Sequence, residues 1–162
     1  MKLLRTVRFD ASDARVYEPA AEPGEWAVSG AFAFQAREPA DVTGKAHQAF
    51  ANGFFALTSF GWSTFAVVAE AKEAEVTGAV DALAGHLVAV YGAPDIAAAR
   101  PAAREEIDFA AELVRDAPIN TVFTVRRTRD ATGAITEEFR TIRPPSAEPQ
   151  HARIWTIEPD AT

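Results

Sequence analysis

The sequence predicts an α+β domain: an antiparallel or mixed β-sheet of about six to seven strands, with three helices packed mainly on one of its faces. Three observations carry that prediction. Alternating apolar residues gather toward both ends of the chain, helical spacing governs the middle, and Pro and Gly residues punctuate the joins between the two patterns. At 162 residues the chain has the length of one domain, and folding buries roughly 68–70% of the surface that an unfolded chain of this size exposes. Residues 1–162 are therefore read as a single domain, with 158–162 as a frayed tail.

Residues 3–9 are the first expected strand, and 15–17 a short second one after the turn-like Asp10-Ala11-Ser12-Asp13. Residues 26–34 alternate most clearly, with Trp26, Val28, Phe32 and Phe34 on one face and Ala27, Ser29, Ala31 and Ala33 on the other. Pro19 and Pro23-Gly24 mark turns before it. From Asp41 or Thr43, either of which suits an N-cap, the spacing turns helical and places Ala46, Ala49, Phe50, Gly53, Phe54 and Leu57 in one stripe. After Gly61, residues 62–69 are β-prone almost without interruption, as a central strand buried on both faces would be.

The second helix spans 73–91, with Val76, Val80, Leu83, Leu87 and Val90 inward, Glu73 and Glu75 at its positive end, and Gly92-Ala93-Pro94 as its stop. Pro101 is expected in the first turn of a third helix that runs to Asp116, preceded by a separate short turn over 96–99. Residues 121–128 and 135–143 form a hairpin around Gly133, with Arg126, Arg127, Glu137, Glu138 and Arg140 as cross-strand charge pairs at a solvated end. Pro144-Pro145 leads to a last strand over 153–157. The crossover from the third to the fourth strand through the first helix is open to either direction, and a parallel one would be right-handed.

Sixteen Lys and Arg against 23 Asp and Glu give a net charge of -7, which argues against nucleic acid and anionic membranes as partners. With no cysteine there is no disulfide, no thiolate nucleophile and no Cys-held metal. Charges in Met1-Lys2-Leu3-Leu4-Arg5 interrupt the apolar run that a signal peptide needs, and no apolar stretch is long enough for a membrane helix, so a cytoplasmic location is expected.

The three histidines, His47, His86 and His151, lack the spacing of a metal site, and no glycine cluster has the form of a phosphate cradle; neither metal nor cofactor is expected. His47 is the best candidate for chemistry, because its helix also carries Asn52 and leads into Ser59, Trp62 and Ser63. Asp10 and Asp13 bracket Ser12 as a turn would require, and Glu105, Glu106, Asp108, Glu137 and Glu138 read as exposed faces rather than paired catalytic carboxylates. Arg126, Arg127, Arg129 and Arg140, with Arg143, make the hairpin locally basic and suited to an acidic partner.

The run from Gly24 to Phe34, the run Gly44-Lys45 through Phe50-Ala51-Asn52-Gly53-Phe54, and Ser59-Phe60-Gly61-Trp62-Ser63-Thr64-Phe65 resemble an uncharacterised bacterial family of about this length. That resemblance implies a small bacterial cytoplasmic protein with a domain of unknown function, and transfers no catalytic residue. The residues themselves favour a non-catalytic accessory or protein-interaction domain, with self-association through Trp26, Phe54, Phe55 or Trp62 as one form of it. The alternative is a small-molecule-binding protein or minor enzyme, with a pocket between the first helix and the sheet.

Overall fold

The first strand, β1 (Lys2–Val7), lies near the middle of the sheet, and the remaining strands extend from both of its sides. They are β2 (Trp26–Val28), β3 (Phe54–Ala56), β4 (Trp62–Ser63), β5 (Phe65–Glu70), β6 (Val122–Arg129), β7 (Ile135–Ile142) and β8 (Arg153–Ile157). Their order is β4-β3-β2-β1-β5-β6-β7-β8, and each neighbouring pair is antiparallel. Four helices complete the α+β fold: α1 (Ser12–Val16), α2 (Lys45–Asn52), α3 (Glu73–Val90) and α4 (Ile96–Val114). The computed structural model describes residues 1–142 and the strand Arg153–Ile157; the expected Pro-Pro linker, Arg143, His151 and the 158–162 tail lie outside the described residues.

The sheet is curled. Phe54 of β3 and Phe139 of β7 belong to strands far apart in the order, yet their rings lie 6.3 Å apart, and α2 packs against both β4 and β6. Register places Leu4, Ala27, Val68 and Ala66 with Phe123 on one face, all essentially buried. α3 and α4 form a helical hairpin, and α4 lies against β1 and β2 through a surface rich in alanine, with Ala99, Ala103, Ile107, Ala110 and Val114 buried. Among the described residues, no helix is long and apolar enough to cross a membrane.

Several local expectations are corrected by tertiary contacts. Residues 15–17 are not a strand: 12–16 form α1, because Asp10 accepts from the Ser12 N–H at 2.8 Å and Asp13 reaches across to Thr64 rather than to its own turn. The strand expected over 26–34 stops at Val28, and Ala31–Phe34 is a 3-10 turn. Gly30 makes the break, with φ at 91° and no room for a side chain, since a Cβ there would sit 2.6 Å from the Trp62 ring. The helix expected to reach Leu57 ends at Asn52, and Phe54–Ala56 pairs with β2 and β4 instead. Burial of Phe54 and Phe55 on opposite faces of a strand satisfies their apolar surface as well as the helical stripe did, and the ladder bonds decide between them. Pro101 sits inside α4, which is continuous from its Asp95 cap, where the Ala98 N–H donates to Oδ1 at 2.7 Å. Among the described residues the third and fourth strands are not joined by a parallel crossover, and the only parallel pairing is the isolated bridge between Ala20 and Trp62.

Candidate functional site

The turn from β3 to β4 is built around a buried carboxylate. Glu25, 8% exposed, receives the Thr58 and Ser59 N–H groups on Oε1 at 2.9 and 2.6 Å, and the Ser59 hydroxyl and Glu22 N–H on Oε2, both at 2.7 Å. The Ser59 hydroxyl oxygen in turn accepts from the Gly61 N–H at 3.1 Å. These bonds hold Phe60 at φ 58°, a left-handed conformation that a non-glycine residue adopts only when its surroundings impose it. The result is a rigid turn presenting an aromatic ring.

That ring stacks on His86 of α3, with centroids 4.0 Å apart and planes 16° apart. Together they form one wall of a cavity of about 400 Å³, which continues over Phe55, Trp62, Phe32 and Tyr91. Burial pulls the His86 imidazole below its ordinary pKa, so the neutral ring is favoured, and burial likewise raises the Tyr91 phenol. Arg37 and Glu18 supply charge at the lining. The guanidinium of Arg37 lies 5.7 Å over the Phe34 ring, and Glu18 stands 3.8 Å from Lys45.

Among the ligand-binding residues expected from sequence, Trp62 lines this cavity and the others do not. Ser59 is engaged by Glu25; Ser63 is buried and donates to the Phe65 carbonyl at 2.8 Å; Asn52 is half-buried on the last turn of α2. His47 is exposed and lines a second cavity of about 400 Å³ with Phe50, Arg126, Arg127 and Arg129, so the structure joins it to the basic hairpin. Within that group Arg126 and Arg140 are exposed, whereas Arg127 is buried and Arg129 donates to the Phe34, Arg37 and Gly133 carbonyls. Phe54, Phe55 and Trp62, considered for self-association, are core residues. Glu25, Phe60 and Arg37 escaped the sequence reading: Thr58-Ser59-Phe60-Gly61 signals a turn, but nothing local links it to Glu25.

A model described as a family of unknown function, DUF6505, matches residues 1–157. The chain belongs to that family. No curated protein and no solved structure matches it.

The chain also carries an ionic cluster where the alternation of the hairpin predicts exposed charges. Arg127 and Glu137 are opposite each other on β6 and β7 and buried, with Nε donating to Oε2 at 2.9 Å. Burial depresses the guanidinium's pKa, and the Glu137 carboxylate offsets only part of that. Glu106 of α4 is half-buried near the same pair, and burial followed by the Glu137 charge raises its pKa to about 7. Burial drives the Tyr17 phenol up to about 12; its hydroxyl shares a 2.9 Å hydrogen bond with Thr64, which is bonded to Asp13. No group of three or more His, Cys, Asp or Glu suited to a metal ion occurs among the described residues.

A raised carboxyl pKa means that the folded DUF6505 chain holds its proton more tightly than the unfolded chain does. The stabilisation is fully present below the ordinary carboxyl pKa of 4.5 and is lost as pH rises through about 7. Wild type is expected to lose on the order of 2 kcal/mol across that window from this group, allowing for partial hydration of a half-buried side chain. Urea denaturation as a function of pH should show a flatter profile for Glu106→Gln over the same range. Parallel profiles would mean that Glu106 titrates normally.

Proposed function

We propose that this is a non-catalytic accessory domain that binds one small, flat, largely apolar molecule in the aromatic cavity. The observation that carries the reading is Phe60, held in a left-handed backbone conformation by the Glu25 hydrogen bonds while its ring stacks on His86 at the cavity wall. Strain of this kind is retained where it positions a side chain for use. A cavity of about 400 Å³ lies within the range of single-ligand sites, and aromatic walls with a few polar groups are the ordinary lining of such sites. Protein docking on the basic hairpin is the second reading; it is supported by the exposed Arg126, since Arg127 and Arg129 are committed to internal partners and the exposed Arg140 is paired with Glu138 at 2.9 Å. The bacterial, cytoplasmic setting belongs to the same proposal and rests on the family resemblance.

Calorimetric titration with the neutral probe 2-naphthaleneethanol should show saturable one-to-one binding. Ala46→Trp, which fills the cavity from α2 without removing a wall, should abolish it, and Phe60→Ala should weaken it about tenfold, the loss expected for one stacked ring. Unchanged affinity in Ala46→Trp would place the probe elsewhere and end the proposal.

A further inference from the structure

We infer that the ligand of this cavity is an aromatic anion, a flat ring system carrying one carboxylate or similar acidic group, oriented by Arg37. The inference rests on the cavity being the binding site and adds the charge and direction of what enters it. Arg37 lines the cavity, and its guanidinium lies over the Phe34 ring at 5.7 Å. Tyr91 lines the same cavity.

Arg37 has no carboxylate partner among the described residues; its one side-chain hydrogen bond there goes to the Asp41 carbonyl at 3.4 Å, near the outer limit of such bonds. In a chain of net charge -7, a cation left without a counter-ion beside an apolar cavity is an unfilled electrostatic position. A planar guanidinium over the face of one ring still presents its edge N–H groups, the geometry that receives a carboxylate in bidentate fashion. The opposing charge is Glu18, whose side chain is 80% exposed and is partly neutralised by Lys45 at 3.8 Å. The other polar group in the wall, His86, has its pKa lowered by burial and so brings a neutral ring rather than a competing cation. The balance at the cavity therefore favours an acidic group at the Arg37 side with the flat ring directed toward Phe60 and His86.

Three probes of matched shape decide the charge: 2-naphthaleneacetate, 2-naphthaleneethanol and 2-(2-naphthyl)ethylammonium, each titrated calorimetrically into the full chain. The acetate should bind about fivefold more tightly than the alcohol, the scale of one solvent-accessible charge pair, and the ammonium more weakly than either. Arg37→Gln should erase the preference for the acetate, so that acetate and alcohol bind alike, and Arg37→Lys should restore part of it. Because Arg37 is exposed, both variants are expected to fold, and unchanged melting curves verify this. Equal affinities for acetate and alcohol, tighter binding of the ammonium, or a preference that survives in Arg37→Gln overturns the anion assignment while the cavity reading stands. Failure of all three probes to bind removes the cavity reading itself, and this inference with it.

Discussion

Replacing Arg127 with methionine is expected to destabilise the fold by about 3–5 kcal/mol, the scale of breaking a buried ion pair from one side. The side chain does two jobs at once. Its Nε pairs with Glu137 at 2.9 Å, and its Nη1 donates to the carbonyls of Ala49, Phe50 and Gly53 at 3.3, 3.0 and 2.8 Å. Those carbonyls lie at the C-terminal end of α2, where the helix stops; the Ala49 carbonyl also receives the Gly53 N–H at 2.9 Å. An eight-residue helix is marginal by itself, and α2 has no side-chain N-cap, so the bond from β6 fastens it to the sheet. Arg127→Met leaves the Glu137 charge buried without its partner and removes the guanidinium donor from the three carbonyls, of which Ala49 keeps its bond from the Gly53 N–H. Thermal melts should show a midpoint lowered by about 10 °C, given roughly 2–4 °C per kcal/mol for a chain of this size. Arg127→Met combined with Glu137→Met should recover part of the loss, because the unpaired charge is gone while the guanidinium's bonds to the carbonyls remain missing. A single variant as stable as wild type would show that water replaces the guanidinium at little cost.

Gly61→Ala is expected to destabilise by about 3 kcal/mol, at the upper end for inserting atoms into filled space. A Cβ at position 61 would lie 2.6 Å from the Ala20 carbonyl carbon and 2.7 Å from both the Ala20 oxygen and the Ala21 nitrogen. These are backbone atoms, so no rotamer change relieves the contact. They belong to the segment that shields the outer edge of β4, where the Ala21 N–H donates to the Trp62 carbonyl at 2.9 Å and the Trp62 N–H to the Pro19 carbonyl at 3.1 Å. Either that segment lifts from the edge or the turn carrying Phe60 moves. In both cases the cavity wall is displaced, so naphthaleneethanol affinity and urea midpoint should fall together. A midpoint shift without loss of binding would separate the turn from the site.

The parts legible in the sequence are those whose pattern is long and whose ends are marked. α3 ends within a residue of its expectation because a sustained apolar stripe is followed by Gly92-Ala93-Pro94, and β6 and β7 run close to the bounds that their alternation and the Asp130–Gly133 turn imply. The region 26–64 was read less well, because short apolar runs rich in Phe and Ala satisfy helical and extended spacing alike. There Gly30 and the packing of Trp62 settle the conformation. Of the candidate site, Trp62 is legible as an aromatic beside polar residues, while nothing local in the sequence links Ser59 to Glu25 or Ser63 to the Phe65 carbonyl.

Amino-acid order by itself determined the α+β class, the two long helices, the C-terminal hairpin and its charge pairing, since each follows from periodicity and neighbouring residues. Tertiary structure alone decided which charges are internal: the register pairs Arg126 with Glu138 and Arg127 with Glu137 alike, but the curl of the sheet brings α2 over one pair and leaves Arg126 of the other exposed. The same holds for the cavity. Phe60 and His86 are separated by most of α3 and all of β5, and only chain closure stacks them, because a contact between distant residues depends on how every intervening element turns.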